Sequence, residues 1–235
     1  MGRAFEKRKY KMFARYDKMA KAFTRIGKEI AIAVKQGGPH PDGNPRLRMA
    51  IQNAKGANMP KDKVEAAIKK ASAKSEKGFE ELVYEGYAPH GVAILIETAT
   101  DNPVRTVANI RMHFDRGNGA LGKTGSLDFL FERKGVFKIQ KGNLNLDEME
   151  LELIDAGLQD MAFDENEVYI YTSFNDFGSM SKALEEKGIS IISAEKQRIP
   201  SNFVELSEKH QEEVIRLVET LEDDDDVQSV YHNLK

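Results

Sequence analysis

The sequence predicts an α+β protein in which a three-helix N-terminal domain precedes two α/β domains, one inserted in the other. Three observations support this fold class. Apolar residues recur at helical spacing in the first third of the chain, strand-like alternation begins after it, and a complete βαββαβ pattern follows. We therefore expect a helical domain at 1–78, a middle domain formed by 79–133 with 201–235, and an inserted domain at 134–200.

The helical domain is predicted from start and stop signals. Asn44 is a good N-cap, Pro45 stands at the first helical position, and Gly56 can end that helix. Pro60 opens the next helix. Both helices have narrow, alanine-rich apolar stripes, so they need a third helix to bury against. That helix lies upstream, where apolar residues form a heptad-like seam of Met12, Tyr16, Met19, Phe23, Ile26 and Ile30.

The rest of the chain predicts two α/β units. Leu82–Tyr87, Val92–Thr98 and Ser126–Phe131 are predicted strands, with a helix starting at Pro103 between the last two. This unit lacks a second helix and a final strand, which residues 203–235 can supply. The intervening βαββαβ segment has the order of a ferredoxin-like sandwich. The predicted fold is therefore a three-helix domain followed by two ferredoxin-like α/β domains.

Charge is distributed unevenly along the chain. Residues 1–77 contain 20 Lys and Arg against 7 Asp and Glu, and the remainder contains 15 against 31. A basic module carried by an acidic body favours a polyanionic partner, although basic helix faces can also be merely solvated. We expect a nucleic-acid site on basic residues away from the apolar stripes: Arg15, Lys18, Arg25, Arg46, Arg48, Lys55, Lys61, Lys63, Lys69 and Lys70.

Composition argues against several other classes of protein and of binding site. The absence of cysteine excludes disulfides, thiolate catalysis and Cys-ligated zinc. The five histidines show no metal-ligand spacing, so we expect neither a metal nor a cofactor. The N-terminus has no apolar leader segment, and no apolar run approaches the roughly 20 residues that a bilayer crossing needs. We expect a cytoplasmic monomer without a membrane partner.

Gly117–Thr124 (GNGALGKT) matches the P-loop expression G-x-x-x-x-G-K-[ST]. A P-loop must follow a strand and open a helix, because helix N-terminal amides cradle the phosphates. Here the predicted helix precedes the motif and the strand comes after it, so Gly117 is better explained as a helix C-cap. With no other catalytic pattern in the sequence, we expect no catalytic residues and no enzyme activity.

Two further features have a structural and a functional interpretation. The run Asp223–Asp226 could attract a divalent cation, but we expect a solvated turn, because adjacent aspartates cannot all face one ion. Tyr84, Tyr87, Phe129 and Phe131 could stack bases. Their neighbourhood is acidic, so core packing is favoured.

Several segments carry a resemblance to a known family: GGPHPDGNPRLRMAIQNAKGANMPKD, LVYEGYAPHGVAILIETATDNPVRTVANIR, GNGALGKTGSLDFLF and LEDDDDVQSVYHN. The chain resembles, over essentially its whole length, the YebC/PmpR family, which includes the mitochondrial translational activator of cytochrome oxidase. The resemblance implies three domains. The opening MGRAFEKRKY departs from the family's common Gly-His-Ser-Lys-Trp start, and the chain has no Trp.

The family is labelled as DNA-binding transcriptional regulators, and some members are similar to translation factors acting on the ribosome. Residues and resemblance together predict a non-enzymatic, nucleic-acid-binding regulator of gene expression that uses the basic helical domain on DNA. One alternative is a ribosome-associated translation activator that binds ribosomal or messenger RNA. A second is a protein-interaction adaptor whose basic face meets an acidic partner.

Overall fold

The structure of the chain is a computed structural model that describes residues 3–73 and 78–235, with side chains from residue 18 onward. The chain divides into two compact units, Met1–Phe79 and Glu80–Lys235. The first is helical and the second holds both β-sheets. Most of the linker expected between them, residues 74–77, lies outside the described residues. The finer division into three domains stays a prediction.

The helices and strands follow the predicted α+β order, so the fold class is confirmed. The helices are α1 (Arg3–Gly37), α2 (Pro45–Gly56), α3 (Lys61–Ser72), α4 (Pro103–Arg116), α5 (Leu146–Leu153), α6 (Phe177–Glu186) and α7 (Glu208–Glu222). The strands are β1 (Glu80–Tyr87), β2 (Ala93–Thr100), β3 (Ala120–Leu121), β4 (Phe131–Gln140), β5 (Leu158–Phe163), β6 (Glu167–Ser173), β7 (Ile191–Pro200) and β8 (Val227–His232).

Asn44 fixes the connection between α1 and α2. Its side-chain oxygen accepts a hydrogen bond from the Leu47 amide at 3.1 Å, which is the predicted N-cap. Its side-chain nitrogen donates to the carbonyl oxygens of Ala33 at 2.7 Å and Gly38 at 2.8 Å. Only 3% of Asn44 is exposed. One buried amide therefore joins the end of the first helix to the start of the second.

We expect Asn44→Ala to lower the free energy of unfolding by about 3 kcal/mol, from a lost cap and two lost buried hydrogen bonds of about 1 kcal/mol each. Asn44→Ser keeps a capping oxygen and loses both donors, so it should recover roughly a third of that loss. Urea unfolding followed by circular dichroism measures both. Equal stability of the Ala and Ser variants would contradict the capping role.

The first sheet has the strand order β3-β1-β2-β8, and all its neighbours are antiparallel. Strand β2 is buried on both faces. Ile94 and Ile96 belong to the core beneath α4 and α7, and Leu95 packs on the other side with Leu127 and Phe131. Two-sided burial explains why this strand is continuously apolar rather than alternating.

The strand predicted at Ser126–Phe131 is wrong. Asp128–Leu130 form a 3₁₀ turn, and strand β4 begins only at Phe131. The reason is a long-range contact from β1. Glu85 is 2% exposed, and its carboxylate accepts hydrogen bonds from the Gly125 amide, at 2.8 Å, and the Leu127 amide. Amides held by a buried carboxylate are not available to pair with a neighbouring strand.

The expectation of aromatic core packing is wrong for two of the four residues concerned. Phe131 is buried and Tyr84 packs against the first core, as expected. Tyr87, at the end of β1, and Phe129, in the 3₁₀ turn, are exposed. Phe129 lies outside the strands, and Tyr87, although paired with Ala93, points to the opposite face of the sheet from Tyr84 and so away from the first core.

The second sheet has the order β5-β6-β4-β7, again antiparallel throughout, which is the order of a βαββαβ sandwich. Phe177 of α6 stacks on Phe137 of β4 with ring centroids 4.7 Å apart. At the junction of the sheets lies Arg198 of β7, whose side chain is 4% exposed. It donates to Glu97 of β2 at 2.7 Å and to Asp128.

The solvated turn expected at Asp223–Asp226 is also wrong in part. Asp226 is 4% exposed, and its carboxylate accepts hydrogen bonds from Arg105 Nη2 at 2.7 Å and Thr106 Oγ1 at 2.9 Å. Asp224, also largely buried, accepts from Asn109 at 3.1 Å. Asp224 and Asp226, which face α4, therefore stabilise the fold, because α4 supplies the hydrogen-bond donors that a buried carboxylate requires.

We expect His232 to make the second unit less stable in mild acid. Burial lowers the pKa of its imidazole below the ordinary value of 6.5, and its Nδ1 has no hydrogen-bond partner among the described residues. Because the unfolded chain binds the proton more readily, stability should be full above pH 6.5 and fall as the pH drops below it. Urea unfolding at pH 7.5 and 5.5 should show a smaller loss for His232→Gln than for wild type or the exposed control His40→Gln. An equal loss in all three would contradict this assignment.

Candidate nucleic-acid interface

The helical unit is built around a small apolar core that leaves its lysines outside. Ile30, Ala33 and Val34 of α1 are buried against α2 and α3, which contribute Leu47 and Val64 among others. The apolar stripes of α2 and α3 contribute several buried alanines to this core, in agreement with their alanine-rich sequences. Charged side chains are therefore confined to the flanks and outer sides of the helices.

Helix α1 carries a basic row away from its packing seam. The row contains Lys18, Lys21, Arg25 and Lys28, spaced three and four apart. Each lies at least about 120° around the helix from Ile30 at 3.6 residues per turn. Lys18 is exposed, whereas Arg25 is half-buried. The predicted Arg15 belongs to the same helix, but its side chain lies outside the described residues.

Helix α3 separates its lysines onto two sides. Lys63 and Lys70 lie seven residues apart on one flank, and the Lys63 ammonium is 5.4 Å from the centroid of the Phe23 ring on α1. Lys61 and Lys69 lie on the other flank, together with Glu65. Lys61 Nζ is 3.5 Å from Glu65 Oε1, and both side chains are largely exposed. The Lys63 flank is therefore the more strongly positive one.

The arginines of α2 have a role that sequence reasoning missed. Arg46 and Arg48 are two residues apart, so they point to opposite sides of the helix. Arg46 Nη1 donates to the Gln36 side chain at 2.9 Å, and Arg48 Nη1 donates to the Asp42 carbonyl at 2.9 Å and the Pro41 carbonyl at 3.2 Å. Both brace the connection from α1 to α2. The predicted Lys55 is exposed in the last turn of α2.

The predicted basic residues therefore do not all share one side of the helical unit. On α2 and on α3, the predicted basic residues are divided between two sides of the helix. Helix α1 carries the row that contains Lys18 and Arg25. The unit nevertheless stays strongly basic: residues 18–73 contain 12 Lys and Arg against 4 Asp and Glu. Such an excess of positive charge favours contact with a polyanion.

The P-loop interpretation fails on local geometry. Gly117 caps the end of α4, where its amide donates to the His113 carbonyl at 3.0 Å. Strand β3 lies inside the motif, and after Thr124 the chain enters a loop and the 3₁₀ turn rather than a helix. Without helix N-terminal amides after the lysine, the segment lacks the phosphate cradle of a P-loop.

Residues 3–73 and 78–235 contain neither a cluster of three metal-ligating side chains nor a helix that could cross a membrane. No group of three or more His, Asp or Glu side chains there is arranged to hold a metal ion. No helix in those ranges combines the length and the apolarity that a membrane crossing requires.

Comparisons with known proteins agree along the whole chain. A model described as the TACO1/YebC protein N-terminal domain matches residues 3–74, and one described as the TACO1/YebC second and third domain matches residues 79–234. A probable transcriptional regulatory protein of Cytophaga hutchinsonii is 58% identical over 234 residues, covering 100% of this chain and 98% of that relative. One of Myxococcus xanthus is 56% identical over 239 residues, covering 100% of both.

A solved structure agrees with the fold. The crystal structure of a conserved hypothetical protein from Aquifex aeolicus has a TM-score of 0.81 and 38% identity, covering 92% of this chain and 90% of that one. Both family models and the full-length relatives identify the same group. The chain belongs to the TACO1/YebC family.

Proposed function

We propose that the protein is a non-enzymatic regulator of gene expression that binds nucleic acid through its basic helical unit. The observation that carries this proposal is the excess of lysine and arginine outside a core made of alanine and aliphatic side chains. Cations held on helices neutralise phosphates and release counterions, which gives affinity without reading sequence. The names of the relatives, probable transcriptional regulatory proteins, support the regulatory part.

The proposed contacts are the exposed lysines rather than the bracing arginines. Lys18, Lys63 and Lys70 present flexible ammonium groups that can follow a phosphate backbone. Arg46 and Arg48 each use one guanidinium nitrogen on the α1–α2 connection and hold its shape.

DNA is the target we propose, and RNA on the ribosome is the competing one. Crosslinking in cells, followed by sequencing of the recovered nucleic acid, separates them. The proposal predicts recovery of promoter fragments. Recovery of ribosomal or messenger RNA without promoter DNA would overturn the DNA target and favour a translation activator. Recovery of neither, with an acidic protein crosslinked instead, would favour an adaptor.

A further inference from the structure

A tight turn beside the first sheet presents an exposed lysine. Residues Lys123–Ser126 form this turn, in which the Ser126 amide donates to the Lys123 carbonyl oxygen at 3.2 Å. Gly125 has a φ of 83°, the left-handed conformation that the third residue of a type II turn adopts. Lys123 is exposed and forms no ion pair with any residue in the described ranges. Its ammonium group can therefore meet an anion from solution.

Glu85 of β1 holds both ends of this turn. Its carbonyl oxygen accepts a hydrogen bond from the Gly122 amide at 2.7 Å, just before the turn. Its carboxylate accepts hydrogen bonds from the Gly125 amide at 2.8 Å and from the Leu127 amide. The chain therefore passes around β1, from the main chain of Glu85 to the face that carries its side chain. A buried carboxylate whose hydrogen bonds are satisfied keeps the turn in one conformation.

Tyr87 places an aromatic ring on that same face of β1. Alternate residues of a strand point to the same face and lie about 7 Å apart, so Tyr87 stands next to Glu85 there. Tyr87 is 45% exposed. Within the described part of the chain, its hydroxyl has no hydrogen-bond partner, and its ring contacts no cation and no second ring. No such group therefore competes with a ligand for the exposed part of the ring.

Glycines let β3 bring the turn close to the end of β1. A Cβ atom on Gly119 would lie 2.6 Å from the Tyr87 carbonyl oxygen, and one on Gly86 would lie 2.6 Å from the Ala120 carbonyl oxygen. Ala120 is the residue that pairs with Tyr87 in the sheet. The segment that leads into the turn is thus anchored directly opposite the tyrosine. We refer to Tyr87 and the turn Lys123–Ser126 together as the tyrosine–lysine corner.

The two segments that meet at the corner carry no acidic residue, although the second unit as a whole is acidic. Neither 86–96 nor 116–127 contains an Asp or a Glu, and the latter adds Arg116 to Lys123. The carboxylate beneath the turn, that of Glu85, is buried and directed at backbone amides. These segments therefore oppose an anionic ligand little.

A lysine–tyrosine pair of the second sheet shows the difference. Lys138 Nζ lies 5.7 Å from the centroid of the Tyr169 ring, but it also lies 2.7 Å from the Glu167 carboxylate. The Tyr169 hydroxyl donates to the same carboxylate at 2.9 Å. The cation and the hydroxyl of that pair are thus already bound within the protein, whereas the tyrosine–lysine corner keeps both for a ligand.

We infer that the tyrosine–lysine corner binds one unpaired nucleotide of a single-stranded nucleic acid, with its base stacked on Tyr87 and its phosphate at Lys123. Aromatic rings beside cations bind single strands in this way without reading their sequence, because every base has a π-face. Bases in a duplex are already stacked on each other, so the corner selects single strands. This inference rests on the proposed nucleic-acid function and adds a contact on the second unit.

The test measures binding by the full chain with fluorescence anisotropy. The labelled probes are 12-nucleotide oligothymidylate and oligouridylate, an abasic deoxyribose-phosphate strand of the same length, and a 12-base-pair duplex. Loss of one stacked base predicts about tenfold weaker binding of the first two probes by Tyr87→Ala. Tyr87→Phe keeps the ring and should restore that affinity. Phe203→Ala removes another exposed ring of the second unit and should change no probe.

The abasic strand separates the two halves of the corner. It has phosphates but no bases, so Tyr87→Ala should bind it within about twofold of wild type. Lys123→Ala should bind all three single strands more weakly, with the slope of log affinity against log salt lowered by about 0.7. Lys182→Ala removes another exposed lysine of the second unit and should leave that slope unchanged. Duplex affinity should stay within about twofold for every variant, since a duplex offers the corner no unpaired base.

The outcomes separate this inference from the proposal on which it rests. Oligothymidylate affinity of Tyr87→Ala within twofold of wild type, or an equal loss on the abasic strand, overturns stacking on Tyr87. An unchanged salt slope for Lys123→Ala overturns the phosphate contact. A Tyr87→Ala loss confined to oligouridylate places the contact at the ribose hydroxyl and also overturns stacking. A wild-type chain that binds the duplex but no single strand refutes the corner and keeps the proposed function, whereas binding to no probe refutes both.

Discussion

Replacing Lys18, Lys63 and Lys70 together by alanine is expected to weaken duplex binding by roughly 100-fold at low salt. Each phosphate contact adds about one unit to the slope of log affinity against log salt, so the variant should lose about three units of slope. All three side chains are exposed, and none belongs to the apolar core, so the fold should remain intact. Titrating a labelled duplex at several salt concentrations measures both quantities.

The matched control removes the same number of charges from the acidic unit. Lys182, Lys209 and Lys235 are exposed there, and the triple alanine variant should bind within about twofold of wild type. If the control loses as much affinity as the helical variant, binding depends on total charge and not on the helical unit. If neither loses affinity, the location proposed for the interface is incorrect.

Asp226→Ala is expected to destabilise the second unit by about 2–3 kcal/mol, since it removes a buried carboxylate that accepts hydrogen bonds from two buried hydroxyls and from the half-exposed Arg105. Thr100 and Thr106 are fully buried, and their hydroxyls donate to this carboxylate at 3.2 and 2.9 Å. Arg105 Nη2 donates to it at 2.7 Å, and this hydrogen bond is the main reason that the pKa of Arg105 is raised. Urea unfolding of the full chain measures the loss.

Asp225→Ala is the control for this prediction. It is the same substitution one residue earlier, at an exposed side chain, and should change stability by no more than about 0.5 kcal/mol. Similar losses in the two variants would mean that the acidic run acts through its total charge. A stable Asp226→Ala protein would show that the network from α4 to the α7–β8 turn contributes little.

Much of the fold could be predicted because its signals are local. Asn44 and Pro45 start α2, and Gly117 ends α4, through contacts within a few residues of themselves. The two-sided burial of β2 is likewise indicated by its continuous apolar run. The βαββαβ order was predicted from the alternation of periods, and the second sheet has that order.

The features that sequence reasoning missed depend on residues far apart in the chain. Glu85 holds amides 40 or more residues away, and Asp226 meets Arg105 more than 100 residues earlier. Nothing within a run of four aspartates distinguishes the buried Asp226 from the exposed Asp225. The bracing roles of Arg46 and Arg48 were missed for a different reason: a side-chain amide and backbone carbonyls accept their hydrogen bonds, and neither kind of acceptor forms a recognisable sequence pattern.

The salt dependence of duplex binding by the wild-type chain tests the central claim most directly. The account predicts that affinity falls by several decades between about 50 and 200 mM salt, with log affinity linear in log salt, as expected when lysines displace counterions from phosphates. An affinity that stays flat over this range, or binding that survives removal of the three helical lysines, would contradict it.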